Sequence, residues 1–226
     1  MLTRHFRPQA GSLELVTAAT SDPVTVDEMK AHARLDSIPE GNSFMSALIA
    51  AATEEAKRMT GRVLLTETWR LVLDNWPGSV CDAWWDGVRE GTLSMLQGGP
   101  VEIRKAPFLA VTTVETIDED GTATEFDAAN YYAAKVSDFG RLALRTGCIW
   151  PLIVPPVRAI GGIAITFTAG YGDDAADVPA PIRQAIKMLA ADYYEHREAV
   201  GEQGHKAMQE PPLGVSALLA KYRVLR

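Results

Sequence analysis

Cysteine is scarce in this sequence. Cys81 and Cys148 are the only two in 226 residues, too few for a disulfide framework and without the paired spacing of a metal site. A reducing compartment is the simpler reading. Long apolar runs are missing too. Ala47 to Ala52 is short and alanine-rich, against the roughly 18 residues that a membrane span takes. Arg4 and Arg7 have no apolar stretch after them, so no secretory signal is read there. Positive charge is in deficit, with 22 Lys and Arg against 29 Asp and Glu and a net charge of −7. Proteins that grip duplex DNA usually carry a basic excess. Tight DNA binding by the whole molecule is therefore not expected, while DNA sliding past without sticking is compatible with the charge.

What is present is an ordinary globular composition, with 47% hydrophobic and 23% charged residues. The length allows one large domain, or a compact domain with extensions, burying about 70% of its unfolded surface. Residues 1–22 read as a loosely held N-terminal arm. Thr25 and Glu28 then form a capping box, with Val24 and Met29 at the staple positions, and start a helix over 25–36. Pro39, Gly41 and Asn42 break the chain. Ser43 is placed to cap a second helix over 43–60. Phe44, Leu48, Ala51 and Met59 follow helical spacing there, with Met45, Ile49, Ala52 and Ala56 beside them. Lys57 and Arg58 fit its last turn and Gly61 its C-terminal cap.

From Leu64 the period changes to that of strands. Leu65, Trp69, Leu71 and Leu73 share one face, which Glu67 interrupts. Residues 78–99, with Trp84 and Trp85, read as an insertion or long loop. Val101–Ile103, Val111–Ile117, Thr122–Phe126, Tyr131–Val136, Arg141–Leu144 and Ile163–Thr168 read as strands. Turns are marked at Asp120-Gly121 and at Asp138 to Gly140. Pro181 opens a long helix over 181–200, with Ile182, Ile186, Leu189, Ala190 and Tyr193 as its apolar stripe. Gly201 to Pro212 reads as a linker, and a short amphipathic helix lies around Ser216 to Tyr222. The expected fold is α+β. Two N-terminal helices and one long C-terminal helix form a helical core. An antiparallel β region at about 64–170 is inserted in it, and the chain ends in a tail with a short helix.

A search for chemistry returns little. His5, His32, His196 and His205 include no i, i+4 pair, so the helical zinc-protease spacing is absent. Neither cysteine carries a nucleophile signature. There is no nucleophile elbow and no phosphate-cradling loop. Asp118 to Gly121 looks like a calcium loop but has Thr116 and Asp127 at ligand positions; a hairpin turn fits better. Tyr171-Gly172-Asp173-Asp174 has paired carboxylates, as in two-metal sites. The chain runs from there into a helix, with no second strand after the turn, and a polar loop fits better. Trp84 and Trp85 are flanked by Asp82 and Asp86, which repel phosphate. No catalytic, cofactor or metal residues are assigned, and no cofactor is expected. The last residues differ from the rest of the molecule. They are locally basic, with Lys206, Lys221, Arg223 and Arg226, and they carry Leu213, Val215, Leu218, Leu219 and Tyr222. So short an apolar helix is marginal alone. It docks either on its own core or in a groove of another subunit, and the sequence leaves both open.

Five segments, in order, resemble the head–tail connector (adaptor, head-completion) proteins of long-tailed phages and gene transfer agents. The first runs from Pro23 to Glu28 with Ala31 to Asp36. The second runs from Leu48 to Thr53 and on to Thr60-Gly61-Arg62, followed by Thr66 to Trp69 and Leu73 to Pro77. The third joins Thr168 to Gly172 with Val178 to Ala185. Tyr193 to Ala199 is the fourth, and Leu213-Gly214-Val215 with Ala217 to Leu219 and Tyr222-Arg223 is the fifth. Each piece alone is common; the ordered set spans about residues 22–226. The insertion at 78–99 departs from the family's shorter pattern.

The resemblance implies a structural virion protein in the head–tail neck of a phage or gene transfer agent particle, assembled in the host cytoplasm. It implies a homo-oligomeric ring of about twelve copies beneath the portal protein, matching its symmetry. A stopper or tail-completion protein would sit on the opposite face, and DNA would pass through without sequence-specific binding and without any membrane. Residues 23–200 would be the connector domain, and 201–226 a linker and portal-docking tail. The residues placed at the portal are Leu213, Val215, Leu218, Leu219, Tyr222, Arg223 and Arg226. A stopper or tail-completion role in the same neck is the alternative. A small metal-dependent enzyme using Asp173 and Asp174 is a remoter one.

Overall fold

The structure, a computed structural model, describes residues 11–35, 41–76, 99–151, 157–196 and 213–224. Residues 1–10, most of the 78–99 insertion, the expected linker at 201–212, the expected helix end at 197–200, and Arg226 lie outside the described residues. The chain divides into two compact units. One comprises residues 19–66 and 170–226; the other comprises residues 1–18 and 67–169.

The first unit is helical. Its elements are α1 (Val26–Ala33), α2 (Asn42–Thr60), α3 (Ala180–Glu195) and α4 (Leu213–Ala220). The capping box opens α1: the Glu28 N–H donates to Thr25 Oγ1 at 3.2 Å and the Thr25 N–H donates to Glu28 Oε2 at 3.2 Å. Helix α2 starts at Asn42 without a side-chain cap, rather than from Ser43. Of its two candidate stripes, Met45, Ile49, Ala52 and Ala56 are the buried one, and Phe44 stays exposed. Ile182, Ala185, Ile186, Leu189 and Ala190 of α3 meet Ile49, Ala52 and Ala56 in one core together with Val24, Met29, Leu64 and Leu65. Arg183 of α3 binds back to α1. Its Nε donates to the Pro23 carbonyl at 3.0 Å and its terminal nitrogen is paired with the Glu28 carboxylate.

Among the described residues the second unit holds eight strands in two antiparallel sheets. They are β1 (Gly11–Thr17), β2 (Glu67–Leu73), β3 (Val101–Ile103), β4 (Phe108–Ile117), β5 (Ala123–Glu125), β6 (Tyr131–Val136), β7 (Phe139–Leu144) and β8 (Ile163–Ala169). The larger sheet runs β1-β2-β8-β4-β5 and the smaller β3-β7-β6. Register makes the core. Leu71 lies opposite Ile165 and Leu73 opposite Ile163, so one face of the larger sheet is apolar. Val101, Ile103, Leu142 and Tyr131 are the buried large side chains of the smaller sheet. Phe108 approaches β7 so closely that a Cβ at Gly140 would stand 2.5 Å from its ring. Trp76 and Trp150 stack with centroids 4.1 Å apart, and Phe126 packs beside Trp150. Asp118 closes the β4–β5 turn as a hairpin, its Oδ1 accepting from the Thr122 N–H at 2.7 Å.

The expected helical core with an inserted β region is thus corrected. Among the described residues 34% are helical and 32% lie in strands, and the strands form a two-sheet unit with its own core. Two stretches of the chain explain the difference. Residues 11–17, expected in a loose arm, alternate Leu13 and Leu15 with Ser12 and Glu14, and pair along β2 from Gly11↔Leu73 onward. Leu64 and Leu65, at the expected start of a strand, are buried residues of the helical unit, so β2 begins at Glu67. Glu67 does not break the sheet's buried face. At 4% exposure it accepts a hydrogen bond from Trp69 Nε1 at 3.1 Å.

Burial pushes the Glu28 carboxyl up, but hydrogen bonds from Arg183 and the Thr25 N–H, with the Arg183 charge, outweigh it and hold the carboxyl below its ordinary range. Hydrogen bonding to Arg58 does the same for Glu55, and bonding to Arg104 and Arg141 for Glu102. A carboxyl lowered in the folded state stabilises the fold above its unfolded pKa. That stabilisation is lost as pH falls through the lowered folded value. Urea unfolding at a series of pH values is expected to show stability declining on the acid side of about pH 5. Glu28→Gln removes part of that decline.

Candidate docking surface

The chemistry of the candidate site begins at the end of α2. Gly61 takes the left-handed conformation there, with its N–H bonded to the Lys57 carbonyl at 2.8 Å. The next residue, Arg62, reaches the C-terminal segment. Its Nε donates to the Tyr222 carbonyl at 2.5 Å, and its guanidinium lies 6.0 Å from the centre of the Tyr171 ring. The Val224 N–H donates to the Thr60 carbonyl at 2.8 Å. Between these bonds and the start of α4, Val215 is fully buried and Leu219 is 2% exposed, in the core with α2 and α3. Leu218 and Tyr222 pack against that core while half-buried. The tail helix begins a turn earlier than Ser216, at Leu213.

The open question of the tail is therefore answered for the single chain: α4 docks on its own core. The residues placed at the portal by resemblance are not brought to one surface. Val215 and Leu219 point inward. Leu213 is 88% exposed, and Arg223 is exposed as well. Arg226 lies outside the described residues. Leu213, Ala217 and Ala220 recur at i, i+4 and i+7, all exposed, and the exposed Lys221 and Arg223 follow. The outward face of α4 is thus an apolar stripe with a basic end. The short helix expected to be amphipathic around Ser216 to Tyr222 is instead apolar on both faces, and packing decides that Val215 and Leu219 are the inward side chains.

Asp173 and Asp174 lie in the turn that leads to α3. The Asp174 N–H donates to Asp177 Oδ2 at 3.1 Å, and among the described residues no three His, Cys, Asp or Glu side chains gather as a metal site. Cys148 is a half-buried free thiol whose Sγ is 3.6 Å from Asn130 Oδ1. No helix among the described residues is long and apolar enough to cross a membrane.

The two faces of α4 separate by mutation. Leu219→Ala is expected to cost about 2–5 kcal/mol in urea unfolding, through the lost burial and the cavity left behind. Leu213→Ala leaves stability within about 0.5 kcal/mol.

Neither a protein-family model nor a curated protein sequence matches the chain. Solved structures do match it. One is a chain from the neck of an empty gene transfer agent particle computed with sixfold symmetry. It is 26% identical, with a TM-score of 0.69, over 95% of this chain and 96% of that one. A chain from the virion of the native gene transfer agent particle gives the same values. A chain from the neck of the native particle, computed with twelvefold symmetry, is 25% identical with a TM-score of 0.67 at the same coverage. Over almost its whole length, both units included, this chain has the fold of a neck component of gene transfer agent particles, in agreement with the phage and gene transfer agent connector resemblance carried by its ordered motifs.

Proposed function

We propose that this protein is a structural component of the neck of a tailed particle, an adaptor ring between the portal and the stopper or tail proteins. The observation that carries the reading is the full-length likeness to neck chains of gene transfer agent particles, in necks treated with sixfold and twelvefold symmetry. The net charge of −7 fits a ring through which DNA slides, since like charge disfavours phosphate contacts. The particle neck is the place of work, and the protein is not an enzyme.

In this reading the outward face of α4 meets the portal. Leu213 is the apolar anchor, Ala217 and Ala220 allow close approach, and Lys221 and Arg223 set orientation through carboxylates of the partner. Val215 and Leu219 act indirectly, by holding that face in place. Leu218, Tyr222 and Arg226 complete the portal-docking tail. A stopper or tail-completion role is the second reading, favoured by sixfold rather than twelvefold copy number.

The test uses the full-length chain with the portal protein of the same particle. Leu213→Asp combined with Arg223→Glu is expected to weaken portal binding on the order of tenfold or more, with an unchanged thermal midpoint. Unchanged portal binding by that folded variant contradicts the docking assignment.

A further inference from the structure

A closed ring needs two different surfaces on each copy, because each subunit meets one neighbour with one face and the other neighbour with another. The strand unit offers such a pair of surfaces. Four strands lie at sheet edges: β1 and β5 in the larger sheet, β3 and β6 in the smaller. Strands β3 and β5 have three residues each, whereas β1 has seven and β6 has six. Each sheet therefore has one long edge without a partner strand among the described residues.

Both long edges are only lightly protected. Neither contains proline; β1 carries Glu14 and a register shift between Leu15 and Thr17, and β6 carries Lys135 alone. All seven residues of β1 are exposed although it is paired along β2, with Leu13 at 40%, Leu15 at 49% and Val16 at 55%. On β6, Tyr132 and Val136 are 49% and 48% exposed. The two charges are opposite. Glu14 stands in the middle of β1 and Lys135 near the end of β6, both exposed and without an ion-pair partner among the described residues.

We propose that copies of this chain join by strand pairing, the outer edge of β1 in one copy lying against the outer edge of β6 in the next. Antiparallel pairing with Glu14 opposite Lys135 sets the exposed Leu13 opposite the exposed Val136, and Leu15 opposite Ala134 with Tyr132 and Val136 diagonal to it. Pairing of β1 with β1 about Glu14 brings two carboxylates face to face and closes a twofold dimer. Pairing of β1 with β6 matches the charges and leaves one unpaired edge at each end of an incomplete assembly, so that the last copy can close the ring. This inference rests on the ring reading and deepens it by naming the surfaces.

The experiment is disulfide trapping in the full-length chain with Cys81→Ser and Cys148→Ser as background. Glu14→Cys and Lys135→Cys, made separately and mixed, are expected to give a cross-linked dimer on mild oxidation. Neither variant alone gives it, and both changes in one chain give a ladder of multimers. Glu14→Lys or Lys135→Glu lowers oligomer formation in sedimentation velocity at least several-fold, and the two together restore it. A mixture without cross-link, both in concentrated protein and in purified particles, overturns the proposal. If the doubly substituted chain is present in particles at portal stoichiometry yet forms no ladder there, strand pairing falls and the neck reading stands. If the chain forms the ladder in solution yet is absent from particles, strand pairing stands and the neck reading falls.

Discussion

Residues 60–66 are the segment on which the rest of the molecule depends. This short stretch holds the end of α2, the last turn of the chain and the passage to the strand unit. The Thr60 carbonyl receives the Val224 N–H, Arg62 binds the Tyr222 carbonyl, and Leu64 and Leu65 lie in the helical core. Just beyond, the outgoing and returning chains are tied together. The Tyr171 N–H donates to the Leu64 carbonyl at 3.1 Å, and the Thr66 N–H donates to the Gly172 carbonyl at 2.9 Å. Gly170 makes this passage fit. Its φ is +148°, and a Cβ there would stand 2.6 Å from the Leu65 carbonyl oxygen. Burial of Leu64 and Leu65, two backbone bonds and one glycine thus hold the helical unit together where the chain leaves it after residue 66 and re-enters it at residue 170.

The same segment explains how a short tail is ordered. Eight residues of Leu, Ala, Val, Ser and Gly do not hold a helix in water. Here α4 gains the core contacts of Val215 and Leu219 on one side and the bonds from Thr60 and Arg62 at its end. One face is spent on folding, which fixes the orientation of the other. A docking surface held by a core costs less order on binding than a free tail would. In the proposed docking role, the outward stripe of Leu213, Ala217 and Ala220 would therefore meet its partner already ordered.

Much of the helical unit was legible in the sequence, because its signals are local. The capping box at Thr25 and Glu28, the buried row of α2, Pro181 near the start of α3 and the stripe Ile182, Ile186 and Leu189 all rest on neighbours three or four positions apart. What was missed depends on distant partners. Strand β1 is held by β2, far along the chain, and nothing in Gly11 to Thr17 names that partner. Glu67 reads as a break in a buried face until the Trp69 indole N–H is seen beside it. Leu64 and Leu65 continue the strand pattern in sequence but belong to the helical core. For the site, the tail's composition pointed to docking, whereas the division between inward Val215 and Leu219 and outward Leu213 needed the fold.

The central claim is a place in a particle, and copy number tests it most directly. Tailed particles purified from the producing cells would be digested, and this chain quantified against the portal protein by mass spectrometry with labelled reference peptides. The account predicts a ratio near one to one, as two rings of matched symmetry require. Absence of the chain from particles that contain the portal would contradict it.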